Sequence, residues 1–217
     1  MPLVPATPEA IEQAAEALAR GDIVAFPTET VYGLGANALD ARAVARVFVA
    51  KGRSSTKPLA VLVPGLSKVE DFADVNAAAR KLAEAFWPGP LTLVLPKRQD
   101  CPLAEAVSAG LNTIAVRAPD HAVAQALLAK SGLSIVAPSA NRSGKVSPKT
   151  AAEVEAELGD RPAMILDGGP SPLGRESTIV SLVGPAPTLL RQGALPREAV
   201  EDILGQKLVF ASAAVQP

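Results

Sequence analysis

The sequence predicts an α/β protein in which helices flank a mixed β-sheet. Helical and strand-like segments alternate through the first part of the chain, and three strand-like segments are grouped late. The chain has 217 residues, 48% of them hydrophobic, which is enough for one large domain with its own core. No repeat or linker interrupts the pattern before Gly205. We therefore predict one domain over residues 1–204, with 205–217 as a C-terminal tail or the start of an interdomain linker.

The first half of the chain alternates between amphipathic helices that begin at a capping side chain and short apolar strands. Pro8 follows Thr7 at the first helical position, which is typical of a helix start, and Trp87-Pro88-Gly89-Pro90 is typical of a break. The predicted elements are a helix from Thr7 to Gly21, a strand at Ile23–Phe26, a helix from Asp40 to Gly52, a strand at Leu59–Val63 and a helix capped by Asp74 through Phe86.

The second half contributes most of the predicted strands. Ser147 is expected to cap a helix with Pro148 at its first position and Gly159 as its stop. The other predicted helices are a segment capped by Asp120 that runs to about Lys130 and a last helix at Pro196–Leu204. The predicted strands are Leu91–Leu95, Thr113–Arg117, Ser134–Ala137, Met164–Leu166, Thr178–Leu182 and Thr188–Leu190.

The composition excludes several classes of site. One cysteine, Cys101, leaves no intramolecular disulfide and no multi-thiolate metal site. One histidine, His121, argues against a His-rich metal site or a Ser-His-Asp triad, and we expect it to be a solvated surface residue. Aromatic residues are 3% of the chain and the net charge is -1, which argues against a nucleic-acid platform. With no membrane-length apolar run and no signal-peptide pattern, we expect a cytoplasmic protein.

The stretch Phe26–Gly35 is the first candidate for a site. It follows a buried strand and carries two threonines, a glutamate, the only tyrosine and two glycines. Such hydroxyl and carboxylate groups at a strand end are typical of a binding loop. Gly33 and Gly35 are expected to let a ligand approach the backbone closely.

Basic residues lie in loops and at strand ends, whereas most acidic residues lie on predicted helices. Lys51–Lys57 and Ser139–Lys149 each hold three basic residues and no acidic one, and Arg117 and Arg191 each end an apolar strand. This placement predicts one cationic pocket for a small polyanion. Guanidinium groups suit phosphate and carboxylate, and a helix that begins at Ser147 would add an anion site at its N-terminus.

The standard nucleotide-binding motifs are absent or incomplete. Gly33–Ala38 matches the G-x-G-x-x-G/A spacing, but it does not directly follow the strand or open a helix, and the expected acidic residue is missing. Gly144-Lys145 lacks the other residues of a P-loop. A nicotinamide-dependent oxidoreductase is therefore a hypothesis that depends on a single incomplete motif.

Five motifs in a fixed order identify a family. They are Pro27-Thr28-Glu29-Thr30-Val31-Tyr32-Gly33-Leu34-Gly35, Lys51-Gly52-Arg53 with Lys57-Pro58-Leu59, Ala137-Pro138-Ser139-Ala140-Asn141 with Ser147-Pro148, Glu176-Ser177-Thr178, and Leu190-Arg191. From about Ala10 to Leu204, this ordered set resembles the YrdC/TsaC family of threonylcarbamoyl-adenylate synthases. The resemblance implies a twisted mixed α/β sheet with a concave cationic cavity, a fold shared with dihydroxybutanone-phosphate synthases.

The resemblance also implies a reaction, a nucleotidyl transfer in which L-threonine, bicarbonate and ATP condense to threonylcarbamoyl-AMP and pyrophosphate. The product would serve tRNA modification through a downstream tRNA threonylcarbamoyl-transferase complex, and Mg²⁺ is expected on ATP with no protein ligands assigned. The implied catalytic residues are Lys51, Arg53, Ser139 and Asn141. The implied ATP-binding residues are Arg53, Lys57, Thr113, Ser139, Ser147 and Arg191, and the implied threonine-binding residues are Thr30, Arg117, Ala137 and Ser177.

Some points stay open at the level of sequence. Glu29 and Glu176 are either partners of the site residues or carboxylates satisfied within their loops. Some relatives have a histidine where this chain has Leu62, and longer relatives continue through a linker with a nucleotide-contacting tyrosine into a further domain. An RNA-binding module that uses the same basic cavity is the alternative function, and direct tRNA binding is left undecided.

Overall fold

The protein is described by a computed structural model that covers residues 3–210. Eight helices and eleven strands fall in this range. The helices are α1 (Pro8–Ala19), α2 (Ala41–Lys51), α3 (Leu66–Val69), α4 (Ala77–Phe86), α5 (Glu105–Ser108), α6 (Ala122–Ser131), α7 (Ala151–Leu158) and α8 (Arg197–Leu204). The strands are β1 (Leu3–Pro5), β2 (Val24–Phe26), β3 (Gly33–Asn37), β4 (Ala60–Leu62), β5 (Leu91–Pro96), β6 (Thr113–Arg117), β7 (Ile135–Val136), β8 (Met164–Asp167), β9 (Thr178–Ser181), β10 (Thr188–Arg191) and β11 (Val209–Phe210).

All eleven strands form one mixed sheet in the order β1-β8-β2-β3-β7-β4-β6-β5-β9-β10-β11. Both orientations occur within it: β4 pairs with β6 and β5 with β9 in parallel, whereas β2 with β3 and β5 with β6 are antiparallel. The prediction of a mixed sheet flanked by helices is confirmed.

The two faces of the sheet are covered to different extents. The larger core lies on one face, where α2, α4, α5, α7 and α8 pack their apolar sides. On the other face, α1 and α6 bury a smaller cluster against β2, β7 and β8. Because α1 and α6 cover only part of this second face, the half of the sheet around β5, β6 and β9 is left for other contacts.

Two predicted helix starts are confirmed and three are wrong. Thr7 caps α1 and Asp40 caps α2, as their sequences predict. The side chains that cap α4, α6 and α7 are Asn76, His121 and Thr150, not Asp74, Asp120 and Ser147. Asp74 is instead held next to an isolated bridge between Ala73 and Lys97, because its backbone N–H donates to the Pro96 carbonyl at 2.9 Å.

His121 is half-buried, so the prediction of a solvated surface residue is wrong. Its Nδ1 accepts a hydrogen bond from the Val123 N–H at 3.2 Å, which caps α6. Burial lowers the pKa of His121, and the charges of Glu29 and Asp120 oppose that shift. The imidazole therefore serves as a neutral cap at ordinary pH.

The segment Gly33–Asn37 is a strand, which overturns the dinucleotide interpretation. It pairs antiparallel with β2, with Phe26 opposite Gly33, and no helix opens there. A Cβ on Gly35 would lie 2.6 Å from Cε1 of Phe26 and 3.0 Å from Cγ2 of Ile135. Gly35 therefore makes room for a core aromatic ring, and the expectation that it admits a ligand is wrong.

Part of the predicted tail joins the sheet. Val209–Phe210 pairs in parallel with β10, while residues 211–217 lie outside the described residues. The division at residue 204 stays a prediction. Within residues 3–210, no helix has both the length and the apolar character that crossing a membrane requires.

Candidate functional site

The floor of the candidate site is the half of the sheet face that α1 and α6 do not cover. Buried and half-exposed residues alternate along β6 and β9, as expected for strands with one face toward the core. Ala60 and Ala115 are register partners on this face, and both have small side chains. The other half-exposed residues on it are Val94, Thr113, Ile179 and Ser181. The face thus offers an uncovered surface in which the paired positions of β4 and β6 are alanines.

Arg117 ends β6 and is fixed from three sides. Its Nε donates to the Gly89 carbonyl at 3.2 Å, and its Nη2 donates to Glu29 Oε2 at 2.6 Å and Thr28 Oγ1 at 3.4 Å. The residue is only 7% exposed, and both N–H groups of Nη1 have no acceptor among residues 3–210. Burial lowers the pKa of Arg117, and the charge of Glu29 opposes that shift. One end of this guanidinium fork is held and the other is open.

The loop that precedes Tyr32 is buried and satisfied mainly by its own hydrogen bonds. Thr28 Oγ1 shares a hydrogen bond of 2.8 Å with Thr30 Oγ1 and donates to the Val31 carbonyl at 2.7 Å. Thr30, which the resemblance assigns to threonine, has 0% exposure here. This loop therefore forms a rigid wall of the site. Thr30 is buried inside it and stabilises it through the hydrogen bond to Thr28.

Tyr32 joins this loop to the second basic loop. Its backbone N–H donates to the Pro148 carbonyl at 2.9 Å, and its carbonyl accepts from the Ala140 N–H at 2.8 Å. Its hydroxyl donates to the Gly169 carbonyl at 2.7 Å. Burial, with the charge of Asp167 adding to it, raises the pKa of Tyr32 to about 12, so the phenol keeps its proton as a donor.

Arg191 reaches the site because of a β-bulge. The register shifts between Leu189 and Arg191, which places Arg191 opposite Ile179 on the open face of the sheet. Its Nε and Nη2 donate to the Ser177 carbonyl at 3.1 and 2.9 Å, and Nη2 also donates to Ser177 Oγ at 3.2 Å. Ser177 Oγ in turn shares a hydrogen bond of 2.8 Å with Thr92 Oγ1. The bulge thus ties two predicted site residues together.

Glu176 is the carboxylate at the centre of the basic residues. It forms an ion pair with Arg191 and accepts a hydrogen bond of 2.7 Å from the Ser147 hydroxyl. Burial lowers the pKa values of Lys51 and Arg53, and the charge of Glu176 partly opposes that shift. Ser147 therefore reaches the site through Glu176, and the prediction that it contributes a helix N-terminus is wrong because α7 begins after Thr150.

Lys51 and Asn141 hold the second basic loop in place. Lys51 is 3% exposed, and its Nζ donates to the Ser139 carbonyl, to the Asn141 carbonyl at 2.6 Å and to Asn141 Oδ1 at 3.3 Å. Asn141 Nδ2 donates to the carbonyls of Arg142 and Lys145 at 3.0 and 2.6 Å. Because both side chains are occupied in this way, they position the loop. The Ser139 hydroxyl has no partner among the described residues and lies half-exposed beside them.

Arg53 is the least satisfied cation of the group. Its Nη2 donates to the Pro58 carbonyl at 3.0 Å, but Nε is buried and has no acceptor among residues 3–210. Burial lowers its pKa. The remaining predicted residues are peripheral: Lys57 is exposed, and Thr113 and Ala137 are half-exposed at the ends of β6 and β7.

The site therefore has two parts that adjoin through two arginines. One part is Arg117 with Glu29 and Thr28, and the other is Arg191 with Glu176, Ser177, Ser147, Arg53 and Lys51. The charge of Arg191 contributes to the lowered pKa of Arg117, so the two parts are electrostatically coupled. Four cations and two carboxylates leave an excess of positive charge, which suits a polyanion.

Three supporting residues were missed by sequence reasoning. Thr92 holds Ser177, the Gly89 carbonyl holds Arg117, and Gly193 allows the close approach of the 176–177 backbone, since a Cβ there would lie 2.3 Å from the carbonyl carbon of Ser177. Of these three residues, only Thr92 could have been found from the sequence. Alternation along β5 places its side chain on the face of the sheet opposite the larger core. In the described part of the chain, no group of three or more His, Cys, Asp or Glu side chains could hold a metal ion.

Comparison with known proteins identifies the family. Residues 16–193 match the Sua5/YciO/YrdC family model, which is described as telomere recombination. The chain belongs to this family. It is 49% identical over 196 residues to a threonylcarbamoyl-AMP synthase of Bacillus subtilis. The aligned region covers 90% of this chain and 56% of that protein. It is 34% identical over 166 residues to a threonylcarbamoyl-AMP synthase of Thiobacillus denitrificans, covering 76% of this chain and 87% of that protein.

Solved structures of the family agree in fold. The structure of Pyrococcus abyssi Sua5 complexed with L-threonine matches 94% of this chain and 59% of that chain, with a TM-score of 0.90 and 45% identity. Escherichia coli YciO matches in fold alone, with a TM-score of 0.78 at 24% identity. The chain thus spans just over half the length of the Bacillus subtilis and Pyrococcus abyssi relatives.

Proposed function

We propose that this member of the Sua5/YciO/YrdC family is an L-threonylcarbamoyladenylate synthase. It condenses L-threonine, bicarbonate and ATP to threonylcarbamoyl-AMP and pyrophosphate, which is a nucleotidyl transfer. The observation that carries the proposal is the ion pair of Arg191 with Glu176, whose charge also acts on Lys51 and Arg53, beside the open fork of Arg117. The names of its relatives and the L-threonine complex of Pyrococcus abyssi Sua5 support the same reaction.

The threonine end of the site is the part around Arg117. A planar guanidinium with two free N–H groups on one nitrogen suits a substrate carboxylate. We assign Ser177 and Ala137 to the border of this end, where Ser177 also accepts a hydrogen bond from Arg191, and Thr30 shares a hydrogen bond with Thr28, which Arg117 contacts.

The nucleotide end is the part around Glu176. We assign the donors of Arg53, Ser139, Ser147 and Arg191 to this end, and Lys57 and Thr113 to its margin. Lys51 and Asn141 fix the loop that carries Ser139, so they act on the phosphates through the position of that loop and through the charge of Lys51.

The reaction needs positioning and charge stabilisation more than proton transfer from a dedicated acid. The threonine nitrogen forms a bond to the carbon of bicarbonate, whose hydroxyl leaves as water, and a carbamate results. A carbamate oxygen then forms a bond to the α-phosphorus of ATP as the bond to pyrophosphate breaks. Arg53 and Arg191 stabilise the negative charge that develops on the leaving pyrophosphate. Mg²⁺ enters with ATP as part of the substrate, and we assign no protein ligand to it.

A pyrophosphate-release assay tests the proposed function. Pyrophosphate should form from ATP only when both L-threonine and bicarbonate are present. Release that does not depend on L-threonine would exclude the proposal.

We further propose that the product passes to a downstream tRNA threonylcarbamoyl-transferase complex. The RNA-binding alternative stays a prediction, and RNA affinity in the micromolar range that falls steeply with salt would favour it.

Replacing Arg53 tests the nucleotide end. The change Arg53→Ala should lower the rate of pyrophosphate release by about 100-fold or more, because it removes a donor from the charge that develops on the leaving group. The stability of the fold should change by about 1 kcal/mol or less, since the side chain is half-buried and makes one hydrogen bond to Pro58. Arg42→Ala, at an exposed position of α2, is the matched control and should leave both quantities unchanged.

A further inference from the structure

Glu29 has one carboxylate oxygen that the fold leaves without a hydrogen bond. Oε2 accepts from Arg117 Nη2 at 2.6 Å, whereas Oε1 is buried and has no donor among residues 3–210. The whole residue is only 4% exposed. A buried charged acceptor without a donor is costly, and native structures almost always satisfy such groups. The free oxygen therefore calls for a donor that the described chain does not supply.

The partner of Glu29 has the complementary opening. Arg117 uses Nε and Nη2 on protein acceptors, and the two N–H groups of Nη1 have none among the described residues. One ion pair thus has a free acceptor on one partner and free donors on the other. An α-amino acid carries the matching groups on a single carbon, because its ammonium donates and its carboxylate accepts.

We infer that Glu29 Oε1 receives the α-ammonium of the amino-acid substrate while Arg117 receives its carboxylate, an inference that rests on the proposed function. The other unsatisfied atom of the site agrees with this direction. Arg53 Nε is a buried donor without an acceptor, and it lies in the part of the site that holds Glu176. The amino acid therefore places its donor at Glu29, and ATP places its acceptors, the phosphates, at Arg53.

This contact also gives the amine a proton acceptor. The ammonium loses two protons when its nitrogen forms a bond to the carbon of bicarbonate. One proton leaves with the bicarbonate hydroxyl as water, and Glu29 Oε1 accepts the other. The carbamate nitrogen that results keeps a single hydrogen, and the neutral Glu29 carboxyl stays hydrogen-bonded to Arg117 until its proton reaches solvent.

A comparison of two ligands tests the inference. L-threonine and its 2-hydroxy analogue share the carboxylate and the side chain, but the analogue has no ammonium. Isothermal titration calorimetry should give wild-type protein about a tenfold or greater preference for L-threonine, as expected for a charged hydrogen bond. Glu29→Gln should reduce that preference to about threefold or less, because a neutral amide loses the charge. Glu155→Gln, the same change at an exposed position of α7, should keep the wild-type preference.

Four outcomes decide the inference or separate it from the proposed function. A Glu29→Gln protein that folds and keeps the wild-type preference overturns the inference. If that variant does not fold, the wild-type comparison decides: a tenfold preference for the amine supports the inference, and equal binding overturns it. Wild-type protein that releases pyrophosphate only with L-threonine, yet binds both ligands equally, overturns the inference alone. Wild-type protein without threonine-dependent release overturns the proposed function and the inference with it.

Discussion

Two arginine–glutamate pairs lie in the site, and they differ in how far they are closed to water. In the sealed pair, Arg117–Glu29, the side chains are 8% and 6% exposed. In the half-exposed pair, Arg191–Glu176, they are 37% and 36% exposed. The sealed pair is held by the Gly89 carbonyl and Thr28, whereas the half-exposed pair borders Ser147 and the basic residues near Arg53.

The difference indicates two kinds of task for the same two residue types. A buried ion pair is hard to break, because removing one partner leaves an uncompensated charge. A half-exposed pair is worth little to stability, so its arginine can change partners when a phosphate arrives. We therefore expect the threonine end to be preformed and the nucleotide end to rearrange its ion pairs when ATP binds.

The largest expected effect is on stability and separates the two pairs directly. Arg117→Met should lower the free energy of unfolding by about 3–5 kcal/mol, because it leaves Glu29 buried without its partner. Arg191→Met should lower it by about 1 kcal/mol or less, because water solvates Glu176. Urea unfolding of both variants gives the two values. Equal losses would contradict the distinction between a sealed and a half-exposed pair.

The second prediction concerns the sign of the effect on ligand binding. Glu176→Gln should raise the affinity for ATP roughly threefold to tenfold, because it removes a negative charge from the residues that bind phosphate. Glu29→Gln should lower the affinity for L-threonine, so the same substitution acts in opposite directions in the two pairs. Calorimetric titration with ATP measures the first effect, and Glu155→Gln, at an exposed position of α7, controls for the change in net charge. A lower ATP affinity in Glu176→Gln would show that Glu176 positions Arg191 and is not displaced.

Much of the fold was predictable because the helix and strand patterns of single segments match the burial of those segments in the folded protein. Thr113–Arg117 is a strand with the predicted bounds, and α2 ends before the left-handed Gly52. The strand Gly33–Asn37 was missed because its sequence, Gly-Leu-Gly-Ala-Asn, has no strand pattern of its own. It forms because β2 pairs with it and because Phe26 needs the space that Gly35 leaves. Contacts of this kind, between residues far apart in the chain, cannot be predicted from the sequence of a single segment.

The site was predictable in its residue types but not in its pairing. The ordered motifs contain Arg191 and both glutamates, and Arg117 was indicated by its position at the end of an apolar strand and by the family resemblance. Which arginine pairs with which glutamate depends on contacts across 88 positions for Arg117 and Glu29, and sequence spacing does not give this. The same holds for Lys51, which contacts Asn141 across 90 positions and is buried by that contact. The bulge that turns Arg191 toward the site is also a property of the paired strands.

The smallest expected effect is the pH dependence of the nucleotide end. Burial lowers the pKa of Lys51 to about 8, with the charge of Arg53 adding to that shift and the charge of Glu176 opposing it. Raising the pH from about 7 to about 9 removes this proton, and ATP affinity should fall roughly threefold because one positive charge is lost. Lys51→Met, which has no titratable group, should bind ATP more weakly at both pH values and lack this decrease.

The stability of the protein should move in the other direction over part of the same range. The folded-state pKa of Lys51 lies below the ordinary value of 10.5, so between about pH 8 and that value the unfolded chain binds the extra proton. This group therefore favours folding as the pH rises through that window, and unfolding cannot be the cause of weaker ATP binding there. Identical pH profiles for wild-type protein and Lys51→Met would show that Lys51 only positions its loop. A steeper decrease in wild-type protein alone would show that its charge also acts on ATP, as the half-exposed end of the site requires.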